Sequence, residues 1–178
     1  MNPTQGDRTD RTTDRGGLLS PEHIALIAGG ISAIVASRDA AHRPSLMRAV
    51  GTDISPDGRR ITVYLNRPAS MQLLADLQAT GLIAVVFSEP STHRTLQVKA
   101  RQVTTRAAQP EDQALLQRYL RAMEAQLAQV GIRSEQARAM LDHQLADVVA
   151  VSFAPEEAYD QTPGPRAGAR LGVTEHRS

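Results

Sequence analysis

Apolar and polar residues alternate along several short segments in the middle of the chain, which is typical of β-strands with one buried face. In the segment 61–65, ITVYL, the three aliphatic residues fall on one side, and Thr62 and Tyr64 fall on the other. A Ser-Pro-Asp-Gly turn at 55–58 separates this segment from the one before it. Strand-like patterns also occupy segments 32–37, 46–54, 82–87, 95–103 and 148–153. The pattern therefore predicts about six strands that pair mostly antiparallel.

Other segments change to the three- and four-residue spacing of amphipathic helices. A short helix is predicted after Ser20-Pro21-Glu22, a second over residues 68–80, a third from Pro110 to Gly131 and a fourth over residues 134–141. Strands in the middle of the chain with helices before, between and after them indicate the α+β class. We expect a mostly antiparallel β-barrel with flanking helices.

The two ends of the chain lack this periodicity. Residues 1–17 and 161–178 are rich in Gly, Pro, Thr and Arg, so we expect a disordered N-terminal tail and a C-terminal tail that is mobile or docked on a partner subunit. Residues 18–160 are predicted to form the single folded domain. A chain of 178 residues is of suitable length for one such domain.

Composition excludes several classes of function. The chain has no cysteine, which excludes disulfides and thiolate metal sites, and its five histidines show no paired ligand spacing, so no metal site is expected. A formal net charge of +1 provides no overall attraction to nucleic acid or to anionic lipid. The first fifteen residues contain no apolar run that would indicate a secretion signal or membrane anchor. We therefore expect a cytoplasmic protein that binds neither nucleic acid nor membrane.

The order of elements and several residues over positions 21–153 resemble the pyridoxamine 5'-phosphate oxidase-like split barrels, which bind flavin mononucleotide (FMN). The similarity is carried by Arg43-Pro44 with Arg48, by Tyr64-Leu65-Asn66 with Ser70, by the apolar run 82–87 and by Leu96-Gln97-Val98-Lys99, in that order. In that family the flavin lies between two subunits. The resemblance thus implies that the α+β fold is a mostly antiparallel split β-barrel with flanking helices, and that the protein is a homodimer with FMN at its interface.

The same resemblance assigns a set of cofactor-binding residues. It places Arg48 on the strand beneath the flavin, Asn66 and Ser70 beside the phosphate, and Gln97 against the other subunit's cofactor. Arg67, Arg94 and Lys99, the only lysine, are added by position. Two cationic positions of the family are replaced here by Met71-Gln72 and by Gly51-Thr52. Because a charge-assisted hydrogen bond contributes about 1.5–3 kcal/mol, their loss would weaken flavin binding.

The resemblance implies an FMN-dependent oxidoreductase that transfers a hydride between the flavin and a small substrate that the sequence does not identify. No residue is assigned a catalytic role. The family's C-terminal arginine-histidine segment has no counterpart, so oxidation of pyridoxamine phosphate itself is not expected. Two alternatives remain open, a non-catalytic flavin-binding or sensing module and a haem-binding split barrel with His93 as a ligand.

Simpler interpretations of the site residues also remain open. Gln97 and Lys99 could belong to an ordinary exposed strand face. Arg43 and Arg48 could form surface ion pairs with Asp39 or Asp53, which are typically worth under about 1 kcal/mol.

Overall fold

The computed structural model of the protein describes residues 17–172. Almost all of the predicted N-terminal tail, residues 1–16, and the last six residues of the chain lie outside this range. None of the helices within residues 17–172 is long and apolar enough to cross a membrane.

Ten strands and four α-helices make up the described part of the chain. The strands are β1 Ser32–Arg38, β2 Pro44–Arg48, β3 Gly51–Ile54, β4 Ile61–Asn66, β5 Ile83–Ser88, β6 Thr95–Ala100, β7 Thr104–Ala107, β8 Val148–Phe153, β9 Glu157–Asp160 and β10 Arg170–Leu171. The helices are α1 Pro21–Ala28, α2 Met71–Thr80, α3 Asp112–Gln129 and α4 Ser134–Met140, and short 3-10 helices occupy Pro68–Ser70 and Leu145–Asp147.

The strands form two antiparallel sheets. One has six strands in the order β10-β9-β6-β5-β1-β2, and the other has four in the order β3-β4-β8-β7. The predicted α+β class and antiparallel pairing are confirmed, whereas the expected number of about six strands is too small. The difference arises because the predicted strand 46–54 is divided between the sheets as β2 and β3, and because β7, β9 and β10 were not predicted.

Within the described residues the chain passes from one sheet to the other four times, and three of these passages are short corners, between β2 and β3, between β6 and β7 and between β8 and β9. At the first corner, Ala49 N donates to Ala33 O in the six-stranded sheet at 2.9 Å, and the next residue, Val50, donates to Tyr64 O in the four-stranded sheet at 2.8 Å. The segment 46–54, predicted as one strand, is therefore two strands joined by a bend. Together the two sheets make a split-barrel-like frame.

The main hydrophobic core fills the space between the two sheets. Val35, Val63, Val85 and Val98 are fully buried there. Helix α2 packs against the same core through Leu73 and Leu77.

The outer side of the four-stranded sheet is covered by α3. Leu116 of this helix packs on Tyr64, Val148 and Ala150. A Cβ atom on Gly51 would lie 2.5 Å from Leu116 Cδ2, so the absence of a side chain at Gly51 leaves room for Leu116 against the sheet. Farther along α3, Met123 and Leu127 pack against α4.

Candidate functional site

The face of the six-stranded sheet opposite the core, here called the outer face, carries a row of side chains from neighbouring strands. In this row Arg48 pairs with Ile34, Ile34 with Val86, Val86 with Gln97, and Gln97 with Tyr159. Strands in a sheet are about 4.8 Å apart, so Arg48 and Gln97 stand about 14 Å from each other. The row has an apolar centre between a cationic and an amide side chain.

Arg48 ends β2 and is half-buried. Its Nη1 donates to Ser32 Oγ at 2.5 Å. The proposed surface pair with Asp53 does not form, since the carboxylate of Asp53 lies 3.9 Å from Arg118 Nη2. Arg43, in contrast, does form the expected ion pair with Asp39, at 2.7 Å from Nε to Oδ2.

Lys99 occupies the next row of the outer face, where it pairs with Ala84 and Glu157. Its Nζ lies 4.8 Å from the centroid of the Tyr159 ring, which is within the range of a cation–π interaction. The Glu157 carboxylate instead accepts a hydrogen bond from Tyr159 Oη and lies 3.7 Å from Arg101 Nη2. That bond lowers the pKa of Glu157 and raises the pKa of Tyr159.

Asn66, Arg67 and Ser70 lie together where β4 ends and the first 3-10 helix begins. Asn66 Nδ2 donates to Asp142 O at 3.3 Å, and the Arg67 backbone amide donates to Asp147 O at 2.7 Å. Within the described range, the buried Asn66 Oδ1 and Ser70 Oγ have no hydrogen-bond partner. The 3-10 helix contacts β2, the strand that carries Arg48.

Arg94 lies in the turn between β5 and β6 and is exposed. Its charge acts on His23 of α1, whose pKa is lowered mainly by burial and further by this arginine. The structure therefore brings Arg48, Gln97 and Lys99 to one face and places Asn66, Arg67 and Ser70 beside β2. Arg94 is separate, at the β5–β6 turn.

The two positions where family cations are replaced have acquired other contacts. Gln72 Nε2 donates to Asp76 Oδ1 at 2.9 Å, whereas Met71 is 70% exposed. Gly51 lies beneath Leu116 of α3 and Thr52 is buried. A longer side chain at position 51 would first meet Leu116 of α3, whose side chain would have to move to admit it.

Residues 161–172 return to the six-stranded sheet. Gln161 N donates to Thr95 O at 2.8 Å, and Gln161 Nε2 donates to Gln97 Oε1 at 3.4 Å. Arg170 of β10 pairs with Tyr159 of β9. Sequence reasoning did not find this contact of the C-terminal segment with Gln97, because a two-residue strand after a Pro-Gly-Pro segment has no detectable periodicity.

A buried polar cluster, also missed, anchors the start of α3 on the four-stranded sheet. Asp112 accepts from Arg106 Nη1 at 2.6 Å and Nη2 at 2.8 Å, from Tyr64 Oη at 2.9 Å and from Gln109 N at 2.8 Å. The hydrogen bonds from Arg106 hold the pKa of Asp112 far below its usual range. Burial, together with the bond to Asp112, raises the pKa of Tyr64. The position of Asp112 after Pro110 indicated a helix start but not these partners.

Comparison with solved structures identifies the fold. The protein superposes on an F420 reductase with a TM-score of 0.52 and 12% identity, covering 79% of this chain and 98% of that one. It superposes on HupZ from Group A Streptococcus with a TM-score of 0.51 and 15% identity, covering 84% and 99%. A protein from Lactobacillus delbrueckii, proposed to be a pyridoxamine 5'-phosphate oxidase, gives a TM-score of 0.50 and 12% identity, covering 79% and 93%.

The chain has the fold of the pyridoxamine 5'-phosphate oxidase-like split barrels. At these identities the similarity establishes the fold alone. No protein-family model matches the sequence, and no curated protein is similar to it in sequence.

Proposed function

We propose that this split barrel is a homodimeric flavin-binding oxidoreductase with a flavin, FMN by preference, on the outer face of the six-stranded sheet. The observation that carries the proposal is the row from Arg48 to Gln97, with Ile34 and Val86 between them. A flavin combines a flat, largely apolar ring with polar edges and an anionic phosphate, so it needs this combination of surfaces. The ring would supply hydride transfer at its N5 atom.

The polar residues on this face suit the parts of a flavin that carry charge. The planar guanidinium of Arg48 can donate two parallel hydrogen bonds to a phosphate. Gln97 and Lys99 can donate to the N1–C2 edge of a flavin ring, where positive charge favours the reduced state. The protein would thereby position the cofactor and adjust its potential without a catalytic acid or base.

Near β2 the polar groups also fit a phosphate. Ser70 Oγ is buried without a partner inside the described range, and Arg67 on the same segment is exposed. A phosphate oxygen would satisfy such a hydroxyl. Compared with the family pattern, however, the replacements at 51–52 and 71–72 leave fewer cations, so we expect weaker flavin binding than in a typical member.

A second copy of the chain would cover the outer face. Leu46 of β2 is 62% exposed there and lies in the same row as Ala36 and Ala84. Burying this apolar area between two copies would also shield a flavin from water. The substrate would be a small molecule that reaches the flavin from the edge of the interface.

The absorption spectrum of the purified protein tests the cofactor. Flavin bands in the isolated protein, or saturable quenching of FMN fluorescence on titration, support the proposal. A colourless protein that leaves FMN fluorescence unchanged would refute it. A Soret band would favour the haem-binding alternative, although His93 lies exposed on the β5–β6 turn. Reduction of the bound flavin by NADH or NADPH, followed by turnover of an acceptor, separates an enzyme from a sensing module.

Substitution of the two cations on the outer face locates the site. We expect Arg48→Ala and Lys99→Ala each to weaken FMN binding about tenfold or more, since each removes a charge-assisted contact. Arg121→Ala, at an exposed position of α3, is the matched control and should bind FMN like the unmodified protein. Equal affinities for all three variants would place the flavin elsewhere.

A further inference from the structure

A groove of about 560 Å³ lies at one end of the outer face, where β1 and β6 end and β5 begins. Its floor is formed largely by small and apolar side chains, among them Ala36 and Ala84 of the outer face, and Ala100 lies beside them on β6. Arg38 and Lys99 are among its polar lining residues. We call this cavity the strand-end groove.

Arg38 carries a charge that its nearest carboxylate does not neutralise. Asp39 directs Oδ1 to the backbone amide of Arg43 at 2.9 Å and Oδ2 to Arg43 Nε at 2.7 Å. Arg38 Nη1 donates to the backbone oxygen of Asp39, at 3.3 Å. Among residues 17–172, no carboxylate lies within 4.0 Å of the Arg38 guanidinium.

The carboxylates on the opposite side of the groove also have other partners. Glu156 accepts from the Arg101 backbone amide at 2.9 Å and lies 3.7 Å from Arg101 Nε. Glu157 is bound by Tyr159 Oη and lies near Arg101. Lys99 contacts the ring of Tyr159 and, over the described range, has no carboxylate within 4.0 Å of Nζ.

The strand-end groove therefore presents two cations that have no ion-pair partner in the described part of the chain, above a floor of small apolar side chains. Both are half-buried, so partial desolvation strengthens their attraction for an anion relative to a fully exposed charge. An apolar floor favours contact with a flat hydrocarbon or aromatic body. Neither feature alone would select a ligand, but together they select a molecule that has both parts.

We propose that the strand-end groove binds a small organic anion, with its flat apolar body on the alanine floor and its carboxylate or phosphate between Arg38 and Lys99. Because Lys99 also belongs to the outer face, an anion held here lies next to the proposed flavin position. The assignment of such an anion as the class of substrate rests on the proposed function. Anion binding itself does not require a flavin.

Titration of the full chain with 2-naphthoate, followed by amide NMR without added FMN, tests the groove directly. The neutral, similarly shaped 2-naphthamide serves as the ligand control. We expect 2-naphthoate to shift the amide signals of Ala36, Ala84 and Ala100 and to bind about fivefold or more tightly than the amide, because only the carboxylate gains charge-assisted hydrogen bonds.

Two substitutions and a matched control complete the test. Arg38→Gln and Lys99→Gln should each lower the affinity for 2-naphthoate about fivefold, whereas Arg121→Gln on α3 should leave it unchanged. Well-dispersed amide spectra establish that each variant is folded. Equal binding of the two ligands, signal changes confined to another surface, or unaltered affinity in both groove variants would overturn the proposal. Because FMN is absent, these outcomes are independent of whether the protein binds a flavin.

Discussion

The buried carboxylate of Asp112 gives the sharpest prediction about stability. Asp112→Asn keeps the shape of the side chain but removes the charge that receives two hydrogen bonds from Arg106. The side-chain NH2 group of asparagine would also face one of the N–H or O–H groups that now donate to the Asp112 carboxylate. The start of α3 would then lose part of its attachment to Tyr64 and the sheet.

The magnitude follows from these contacts. Hydrogen bonds to a charged group contribute about 1.5–3 kcal/mol each, and breaking a buried ion pair costs about 3–5 kcal/mol. Because the Arg106 side chain is 49% exposed and can be solvated again, the lower part of this range applies. We expect a loss of about 2–3 kcal/mol, or about 5–10 °C in Tm for a chain of this length.

Urea unfolding followed by circular dichroism at pH 7 measures this loss. Arg118→Gln is the control, because the 3.9 Å pair between Arg118 and Asp53 is largely exposed and should contribute less than about 0.5 kcal/mol. If both variants lost the same small amount of unfolding free energy, the Asp112 cluster would not anchor α3.

The original protein and Asp112→Asn also test how the stabilisation by Asp112 depends on pH. Arg106 lowers the folded-state pKa of Asp112, so the carboxylate stabilises the fold fully at pH values above its unfolded-state pKa, near 3.9. The difference in free energy of unfolding between the original protein and Asp112→Asn should be constant from about pH 5 to pH 7. It should diminish as the pH falls below about 4, toward the lower folded-state value. A difference that grew on acidification would contradict the assigned ion pair.

Two further substitutions test the packing and the interface. Gly51→Ala should cost about 1–3 kcal/mol in urea unfolding, because its Cβ would lie 2.5 Å from Leu116 Cδ2. Gly172→Ala should be neutral, because among residues 17–172 no atom beyond its chain neighbours lies within 4 Å of that position. Equal stabilities would show that Leu116 and α3 adjust freely. Light scattering should give a mass near twice 19.2 kDa for the original protein and a monomer for Leu46→Glu, while Met140→Glu, on the exposed side of α4, should remain a dimer. A monomeric original protein would refute the proposed dimer.

Local patterns were sufficient to predict most strands and helices, but not where they bend. In residues 61–65 the aliphatic positions face the core as the alternation indicated, yet Thr62 and Tyr64 are buried as well because of packing on the opposite face. The bend after Arg48 leaves no mark in the alternation of polar and apolar residues. It depends on Ala33 and Tyr64, which supply the carbonyls on either side of the corner and are distant in sequence.

The candidate site was predictable only where its residues lie on regular strands. Arg48, Gln97 and Lys99 share a face because β1 and β5 connect their strands in register, and the order of elements indicated that arrangement. The charge available at Arg38 was not predictable, because it depends on which arginine takes the Asp39 carboxylate. The contact of Gln161 with Gln97 likewise depends on a long-range pairing.

The short corners between the two sheets also determine how this protein can move. Since β2 is joined to β3 by two residues and β6 to β7 by three, sliding one sheet over the other would strain the strand pairing beside these corners. These connections therefore oppose a shear motion between the sheets. Adjustment to ligands of different size must come from side-chain rotamers on the outer face and from the C-terminal segment 161–172. Backbone motions measured by NMR relaxation should therefore be largest in segment 161–172, and the six-stranded sheet should be rigid by comparison.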